Sequence, residues 1–351
     1  MTATTTTVTG SVRPIAEFDR PFWQRWFATR EMAIIGLFIA VVIVASLIVP
    51  NFGSKITMTY LLLDMFPILI IALPMTAIIV TGEIDLSVAS VVGFSSVLTG
   101  VLTQAGLPFA AAMLLAVLGG VACGYINGIL VTAVGLPSLA VTIGTLALYR
   151  GLAVGLLGTT AVTDFPEFWT SLAKAKIGET GIPVVVILFV VLAVLFATML
   201  HFTPFGRGVF ATGLSPEAAR FTGVNVARTK LILFVLSGAV AALAGVYYTL
   251  RYGSARGDNA TGMEMQVIAA VLLGGVSIFG GRGALHGVIA GVLLIGALAS
   301  ALRLANVTSD VINIITGVLL IAAVVSSSIF AAVQNRRGRR LKLAGSTAAA
   351  G

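Results

Sequence analysis

The sequence predicts an all-α, polytopic membrane protein. Hydrophobic residues make up 58% of the 351 residues and charged residues only 10%, and the mean hydropathy of +1.08 lies outside the range of soluble domains. The run from Leu86 to Tyr149 contains no Asp, Glu, Lys, Arg or His. At about 1.5 Å per residue, a single helix of that length would be roughly three bilayers long, so the chain must fold back on itself. Alternating strand patterns are absent, which argues against a membrane barrel.

Apolar stretches separated by polar loops predict about ten transmembrane helices. Their approximate bounds are 32–50, 57–80, 87–104, 108–132, 138–156, 182–200, 230–250, 264–279, 284–303 and 311–333. We expect a polar tail over residues 1–31, a membrane domain over 32–333 and a basic tail over 334–351. Loop 157–181 is expected to hold a short interfacial helix.

Basic residues concentrate at the two ends of the chain and in the loop 201–230, and the net charge is +8. Positively charged segments stay on the cytoplasmic side of a membrane. We therefore expect both termini and this loop in the cytoplasm, which requires an even number of spans. The same rule explains the basic residues without a nucleic-acid partner. The terminal residues in question are Arg13, Arg20, Arg25, Arg30, Arg336, Arg337, Arg339, Arg340 and Lys342.

The loop 201–230 contains a helix-like segment, Pro216–Arg220. A structured basic element between apolar spans is typical of a docking site. The chain has no ATP-binding motif, and its two histidines, His201 and His286, fall in different loops. We expect no enzyme activity, cofactor or metal. The pattern favours a transport channel driven by a separate motor.

Glycines spaced four apart predict close helix packing in the fourth and ninth spans. They are Gly120, Gly124, Gly128, Gly283, Gly287 and Gly291. The two triads fall at corresponding places in spans 2–5 and 7–10. We therefore expect an inverted repeat of these two groups, a common transporter architecture.

Asp85 and Ser87 open the third span, where they suit a capped helix N-terminus or, alternatively, a gate on the substrate path. Ser138 is expected to cap the fifth span in the same way. The glycine-rich stretch 274–283 does not fit a phosphate-binding loop, because no GxGxxG register or Lys-Ser/Thr pair is present. We expect a tight re-entrant turn there.

Asp64 is an acid within the apolar second span, close to Phe66 and Pro67. A carboxylate in lipid is costly, so it should face a water-filled cavity or a partner. An acceptor beside an aromatic ring suits a sugar, and these three residues are candidates for the outer part of a translocation pathway. A solvated helix end is the alternative.

Four ordered motifs resemble the permease subunits of ribose-type, binding-protein-dependent ABC importers. They are GEIDLSVAS (82–90), NGILVTAVGLPSLAVTIGTLALYRGLA (127–153), TPFGRGVFATGLSPEAARFTGVNV (203–226) and YGSARGDNATGMEMQVIAAVLLGGVSIFGGRG (252–283). The likeness covers roughly residues 32–333. This chain has Glu83 where that family usually has a second glycine.

The resemblance implies a permease that works with cytoplasmic ATP-binding subunits, a second permease copy or sister permease, and an extracytoplasmic sugar-binding protein. The implied substrate is a small sugar or related polyol, with a look closest to permeases for rhamnose and autoinducer-2. It also implies a coupling helix that enters a cleft on the ATPase, formed by Pro216, Glu217, Ala218, Ala219, Arg220 and Gly223. The main alternative is a secondary transporter driven by an ion gradient, with Asp64 or Glu264 as its ion site.

Overall fold

Ten apolar helices follow the ten predicted spans. The computed structural model describes residues 30–319, 321–322 and 325. Both predicted tails, apart from Arg30 and Glu31, and the end of the tenth span lie outside these residues. Within them the structure is helical, without a multi-residue strand, which confirms the fold class. The helices are α1 (Arg30–Ile48), α2 (Lys55–Val80), α3 (Val88–Gln104), α4 (Phe109–Thr132), α5 (Ser138–Leu157), α6 (Glu167–Lys174), α7 (Val185–Phe202), α8 (Pro204–Leu214), α9 (Pro216–Phe221), α10 (Val226–Tyr252), α11 (Met263–Leu273), α12 (Leu285–Leu304) and α13 (Ser309–Leu319).

Seven of the apolar helices are long enough to cross a membrane, and α3, α11 and the described part of α13 are shorter. Helix α11 ends at Leu273 rather than at the predicted residue 279. Gly275 follows with a φ of +96°, a conformation that favours glycine and cannot continue a helix. The chain then turns back, with the Ser277 N–H donating to the Arg282 carbonyl at 3.0 Å. The turn predicted at 274–283 is therefore present, and it begins inside the predicted eighth span.

The centre of the bundle is α2. Every residue from Phe66 to Val80 is buried, whereas α1 and α7 bury few of their residues. A helix that is apolar all round belongs inside a protein or in lipid, and α2 takes the inner position. Helix α10 packs beside it and also contacts α3 and α4.

Glycines bring α4 and α10 into backbone contact. A Cβ atom on Gly120 would lie 2.6 Å from the Gly238 carbonyl oxygen, and one on Gly124 would overlap the Phe234 carbonyl. Gly128 faces Leu231 in the same manner. The predicted triad thus lies against one neighbouring helix, and Gly238 is its partner on α10.

The second triad has different partners. Gly283 lies in the turn before α12, outside the helix. Gly287 and Gly291 pack against Gly274 and Ala270, at the end of α11. The two triads are therefore not equivalent in packing, although their sequence spacing is the same.

The contacts of the two central helices, α2 and α10, are nevertheless reciprocal. Helices α3 and α4 pack against α10, while α11 and α12 pack against α2. In span numbers, spans 3 and 4 contact span 7, and spans 8 and 9 contact span 2. An inverted repeat of spans 2–5 and 7–10 requires this exchange. The repeat itself stays a prediction, now supported by packing rather than by glycine spacing.

Replacement of Gly124 by valine should destabilise the bundle, because the added side chain collides with the α10 backbone. Overpacking of this kind costs typically about 1–3 kcal/mol. Fluorescence-detected gel filtration after heating should show a lower transition temperature for Gly124→Val. Gly36→Val is the matched control, because no described atom lies within 4 Å of a Cβ at Gly36. Equal loss in both variants would contradict the close α4–α10 contact.

Candidate coupling and translocation site

Helix α9 is a short, well-capped helix between α8 and α10. The Ser215 hydroxyl accepts the Ala218 N–H at 3.2 Å, and Pro216 occupies the first helical position, where its missing N–H costs nothing. Ala219 is 2% exposed and faces the protein. Glu217 and Arg220 are exposed. The predicted coupling segment is thus a helix, but Ala219 is not available to a partner.

Two large apolar residues beside the predicted set are open to solvent. Phe221, the last residue of α9, is 93% exposed, and Leu214, the last residue of α8, is 71% exposed. Neither Phe221 nor Leu214 was among the predicted coupling residues. An aromatic residue next to Arg220 in an otherwise polar loop was the available signal. Gly223 has a φ of +86° and no described atom within 4 Å of an added Cβ, so its role is to turn the chain.

Helix α8 ends in backbone contact with two other segments. A Cβ on Gly213 would overlap the Val80 carbonyl oxygen at the end of α2. The turn 274–284 reaches the same place, because the Gly281 N–H donates to the Val80 oxygen at 2.8 Å. A Cβ on Gly280 would lie 2.9 Å from the Gly213 oxygen. We call these contacts, formed by Val80, Gly213, Gly280 and Gly281, the glycine junction. It connects the base of α9 with the central helix.

A buried polar network begins a few residues beyond Val80. The Asp85 Oδ1 atom accepts the Ser87 N–H at 3.0 Å and the Ser87 hydroxyl at 2.6 Å. Its Oδ2 atom accepts the Ser237 hydroxyl of α10 at 2.8 Å. The Ser87 oxygen accepts from Asn127 Nδ2 on α4, and Asn127 accepts from the Tyr149 hydroxyl on α5. The donors in this network all point along the chain of bonds toward Asp85, as suits a carboxylate, which accepts hydrogen bonds.

Burial raises the pKa of Asp85 by desolvation, while the hydrogen bonds from Ser87 and Ser237 act in the opposite direction. The capping predictions for the serines were wrong. Ser87 donates to Asp85 instead of capping α3. Ser138 accepts the Ile84 N–H at 3.2 Å instead of capping α5. Tertiary contacts satisfy these hydroxyls, so the turn 81–87 is held by α4, α5 and α10.

Glu83, the departure from the usual family motif, forms an ion pair with Lys230 of α10. The two side chains are only 17% and 16% exposed, respectively. A half-buried charge needs a partner, and this pair provides one for both residues. It adds a further connection between the turn 81–87 and α10.

Asp64 lies at the opposite end of the bundle, near the start of α2. Its Oδ1 atom accepts from Arg251 Nη2 at 2.9 Å, and its Oδ2 atom is 3.9 Å from Arg303 Nη1. The Arg251 guanidinium lies 5.4 Å from the ring centroids of Tyr60 and Tyr252, within reach of a cation–π interaction. Asp64 also lines a cavity of about 190 Å³ between α2 and α12. Asp64 therefore has both of the surroundings expected of an acid within an apolar span, a cavity and a charged partner.

Phe66 and Pro67 do not share that cavity. Phe66 is 1% exposed and packs against Tyr247, with 4.5 Å between the ring centroids and 58° between the ring planes. Pro67 is buried in α2. The predicted cluster of acid, ring and proline is thus divided between a cavity wall and the core, and Tyr60 is the aromatic residue beside Asp64.

A charge exchange should reveal the contribution of the Glu83–Lys230 pair. Glu83→Lys places two ammonium groups together and should cost about 1–3 kcal/mol, between the values for exposed and buried pairs. The double variant Glu83→Lys/Lys230→Glu should recover most of the loss. Thermal stability of the detergent-purified permease measures both effects. A double variant as unstable as the single one would argue against direct pairing.

Several known permeases are similar to this chain in sequence. A family model described as branched-chain amino acid transport system / permease component matches residues 57–324. The autoinducer 2 import system permease protein LsrD of Photorhabdus luminescens is 38% identical over 272 residues, which cover 76% of this chain and 81% of the relative. The protein of the same name from Escherichia coli O157:H7 is 36% identical over 305 residues, 85% of this chain and 92% of the relative. No solved structure matches the chain.

These matches confirm the ribose-type permease resemblance found in the sequence motifs. The family also implies ATPase and binding-protein partners and a multi-pass position in the inner membrane. A transport subunit, not an enzyme, is the role that follows. The chain belongs to this permease family and is a membrane-spanning permease subunit of an ABC importer.

Proposed function

We propose that this permease translocates a monosaccharide or related polyol of the rhamnose or autoinducer-2 type. In the proposed cycle, a binding protein delivers the substrate on the extracytoplasmic side. Separate ATP-binding subunits supply the energy for its translocation. The similar permeases are named for import of autoinducer 2, whereas the family is named for branched-chain amino acid transport, so the polyol class rests on the individual relatives. The single structural observation that carries the mechanism is α9, which is exposed on one face and connected through the glycine junction to α2.

We infer that the α8–α9 side of the bundle is cytoplasmic, as are both chain ends. Exposed basic residues support this orientation. They are Arg207, Arg220, Arg228 and Arg282. Helix α9 would then meet the ATPase with Glu217 and Arg220 as rim charges that set orientation. When nucleotide binding moves the ATPase, α8 would transmit the movement to the inner end of α2 through the glycine junction.

A second permease copy or a sister permease would complete the pore. The outer face of α5 suits such a neighbour. Gly144, Gly151 and Gly155 have no described atom within 4 Å of an added Cβ, and small residues on a membrane helix permit close approach of another helix.

The translocation pathway is proposed to pass Asp64 on the outer side and the turn 81–87, with Asp85 and Ser87, on the inner side. Polar groups at these two levels would contact a hydroxylated substrate in passing. The packed rings of Phe66 and Tyr247 lie further into the core than Asp64 and would close this part of the path in the present conformation. The ion-gradient alternative loses support, because Asp64 already has Arg251 as its cation.

The ATPase-coupled role of α9 can be tested at Gly223. Gly223→Trp should lower permease-stimulated ATP hydrolysis and ATP-driven uptake in proteoliposomes at least about tenfold, because a bulky side chain would obstruct a docked ATPase. The positive φ adds strain of roughly 1–2 kcal/mol to any substitution, so Gly223→Ala measures the strain alone. Gly106→Trp is the matched control, with a φ of +89° in the α3–α4 connection.

Glu217→Ala/Arg220→Ala should have a smaller effect on the same assays, since rim pairs contribute little each. If the Gly223→Trp permease co-purified with the ATPase and took up substrate normally, the coupling role would be refuted. Uptake that persists with ATP in the presence of an uncoupler, and fails without ATP, would separate the importer from a gradient-driven transporter.

Asp64→Ala should lower uptake about tenfold without reducing the amount of assembled permease, because a charge-assisted hydrogen bond on the proposed pathway is worth about 1.5–3 kcal/mol. Asp64→Asn keeps an acceptor for Arg251 and should retain more activity. Asp258→Ala is the control, since Asp258 is an exposed acid whose ion pair among residues 30–319 is with the exposed Arg256. Normal uptake in both Asp64 variants would place the pathway elsewhere, and failure of both to assemble would make the role structural.

A further inference from the structure

We propose that the turn 274–284 is a second docking element for the ATP-binding subunit, beside α9. The inference rests on the proposed function, because it assumes that the α8–α9 side meets the ATPase. It adds a contact surface in the second half of the chain, where Phe279 is the central residue.

Exposure of apolar side chains is the first reason. Phe279 is 73% exposed at the tip of the turn, and Phe221 is 93% exposed at the end of α9. Both lie in connections between the apolar helices, not on the long lipid-facing helices. Aromatic residues that are open in a subunit and buried in its complex commonly dominate interface energies. Leu214, 71% exposed, supplies further apolar surface at the base of α9.

The two elements form one continuous surface. A Cβ on Gly281 would lie 2.7 Å from the Leu214 Cδ2 atom and 2.9 Å from its Cγ atom. The Gly281 backbone is hydrogen-bonded to Val80, and Gly213 of α8 meets that same carbonyl. A partner that contacts α9 and Leu214 therefore also lies next to the turn that carries Phe279.

Charge identifies the kind of occupant. The exposed charges of the two elements and their flanks are mainly basic: Arg207, Arg220, Arg228 and Arg282, against one acid, Glu217. The C-terminal tail of the chain is also basic in sequence and would be repelled. The surface fits a protein cleft with an apolar floor and an acidic rim, and the ATPase subunit is the cytoplasmic partner that the family implies.

Contact of the ATPase with both α9 and the turn 274–284 would change which helices it moves directly. Helix α9 leads to α10, whereas the turn 274–284 connects α11 to α12. An ATPase bound to both would move the inner ends of α2, α11 and α12 together. A contact through α9 alone would depend on the glycine junction to move the last two.

Site-specific photocrosslinking in the complete transporter tests the proposal. The photoreactive p-benzoylphenylalanine replaces Phe279, Phe221 or, as control, Phe168, which is 68% exposed in α6 on the far side of the bundle. Illumination should give a permease–ATPase adduct from positions 279 and 221 and none from 168. An adduct from 221 without one from 279 would overturn the second docking element and leave the coupling role of α9 intact. No adduct from either position would count against both.

Affinity supplies the quantitative measurement. Phe279→Ala should weaken binding of the purified ATPase to the detergent-solubilised permease about tenfold, the usual loss for an aromatic interface anchor. Phe279→Leu should recover most of it, and Phe168→Ala should bind normally. Unchanged affinity in Phe279→Ala would overturn the proposal. So would an adduct from position 279 to phospholipid instead of ATPase in vesicles containing phosphatidylglycerol, because the turn would then bind the membrane surface.

Discussion

Contact between backbones at the end of α8 is the constraint on which the proposed coupling depends. Gly213 leaves no room for a side chain against Val80, and Gly280 and Gly281 fill the remaining space from a turn about 70 residues further along the chain. Packed backbones have few alternative arrangements, so a displacement of α8 must displace its neighbours. An exposed loop becomes mechanically connected to the most buried helix of the bundle in this way.

The turn after α2 extends this connection through polar contacts. Asp85 collects hydrogen bonds from Ser87 and Ser237, and Glu83 pairs with Lys230. Buried polar groups are costly unless satisfied, and a fully satisfied network specifies one arrangement. The connection between α10 and α11 uses the same physics, since Arg150 of α5 donates to three backbone carbonyls, those of Ala89, Gly257 and Asn259. Buried charge in this protein therefore connects segments that are distant in sequence.

Local sequence patterns predicted the ten apolar helices, helix α9 and the turn after α11, because hydropathy, proline and glycine act within a few residues of where they stand. Pairing could not be read from the same patterns. The partners Asp85 and Ser237 are 152 residues apart, and Asp64 and Arg251 are 187 apart. Ser87 and Ser138 show the cost of a purely local interpretation, since both stand where a cap is expected and both bond elsewhere. Phe279 lay within a recognised motif, but its exposure depends on how the turn folds.

We infer that α9 and the turn 274–284 move as one body with the end of α2 at Val80. Spin labels on Glu217→Cys and Arg282→Cys, both exposed sites, would report the distance between the two elements in nucleotide-free and ATP-trapped transporters. The distance between labels on the two paired permeases would show, in matched samples, that the transporter has switched. We expect the distance between α9 and the turn to stay constant within about 2 Å. A change approaching one helical turn, about 5 Å, would show that the glycine junction opens during the cycle and that α9 and the turn 274–284 do not move as one body.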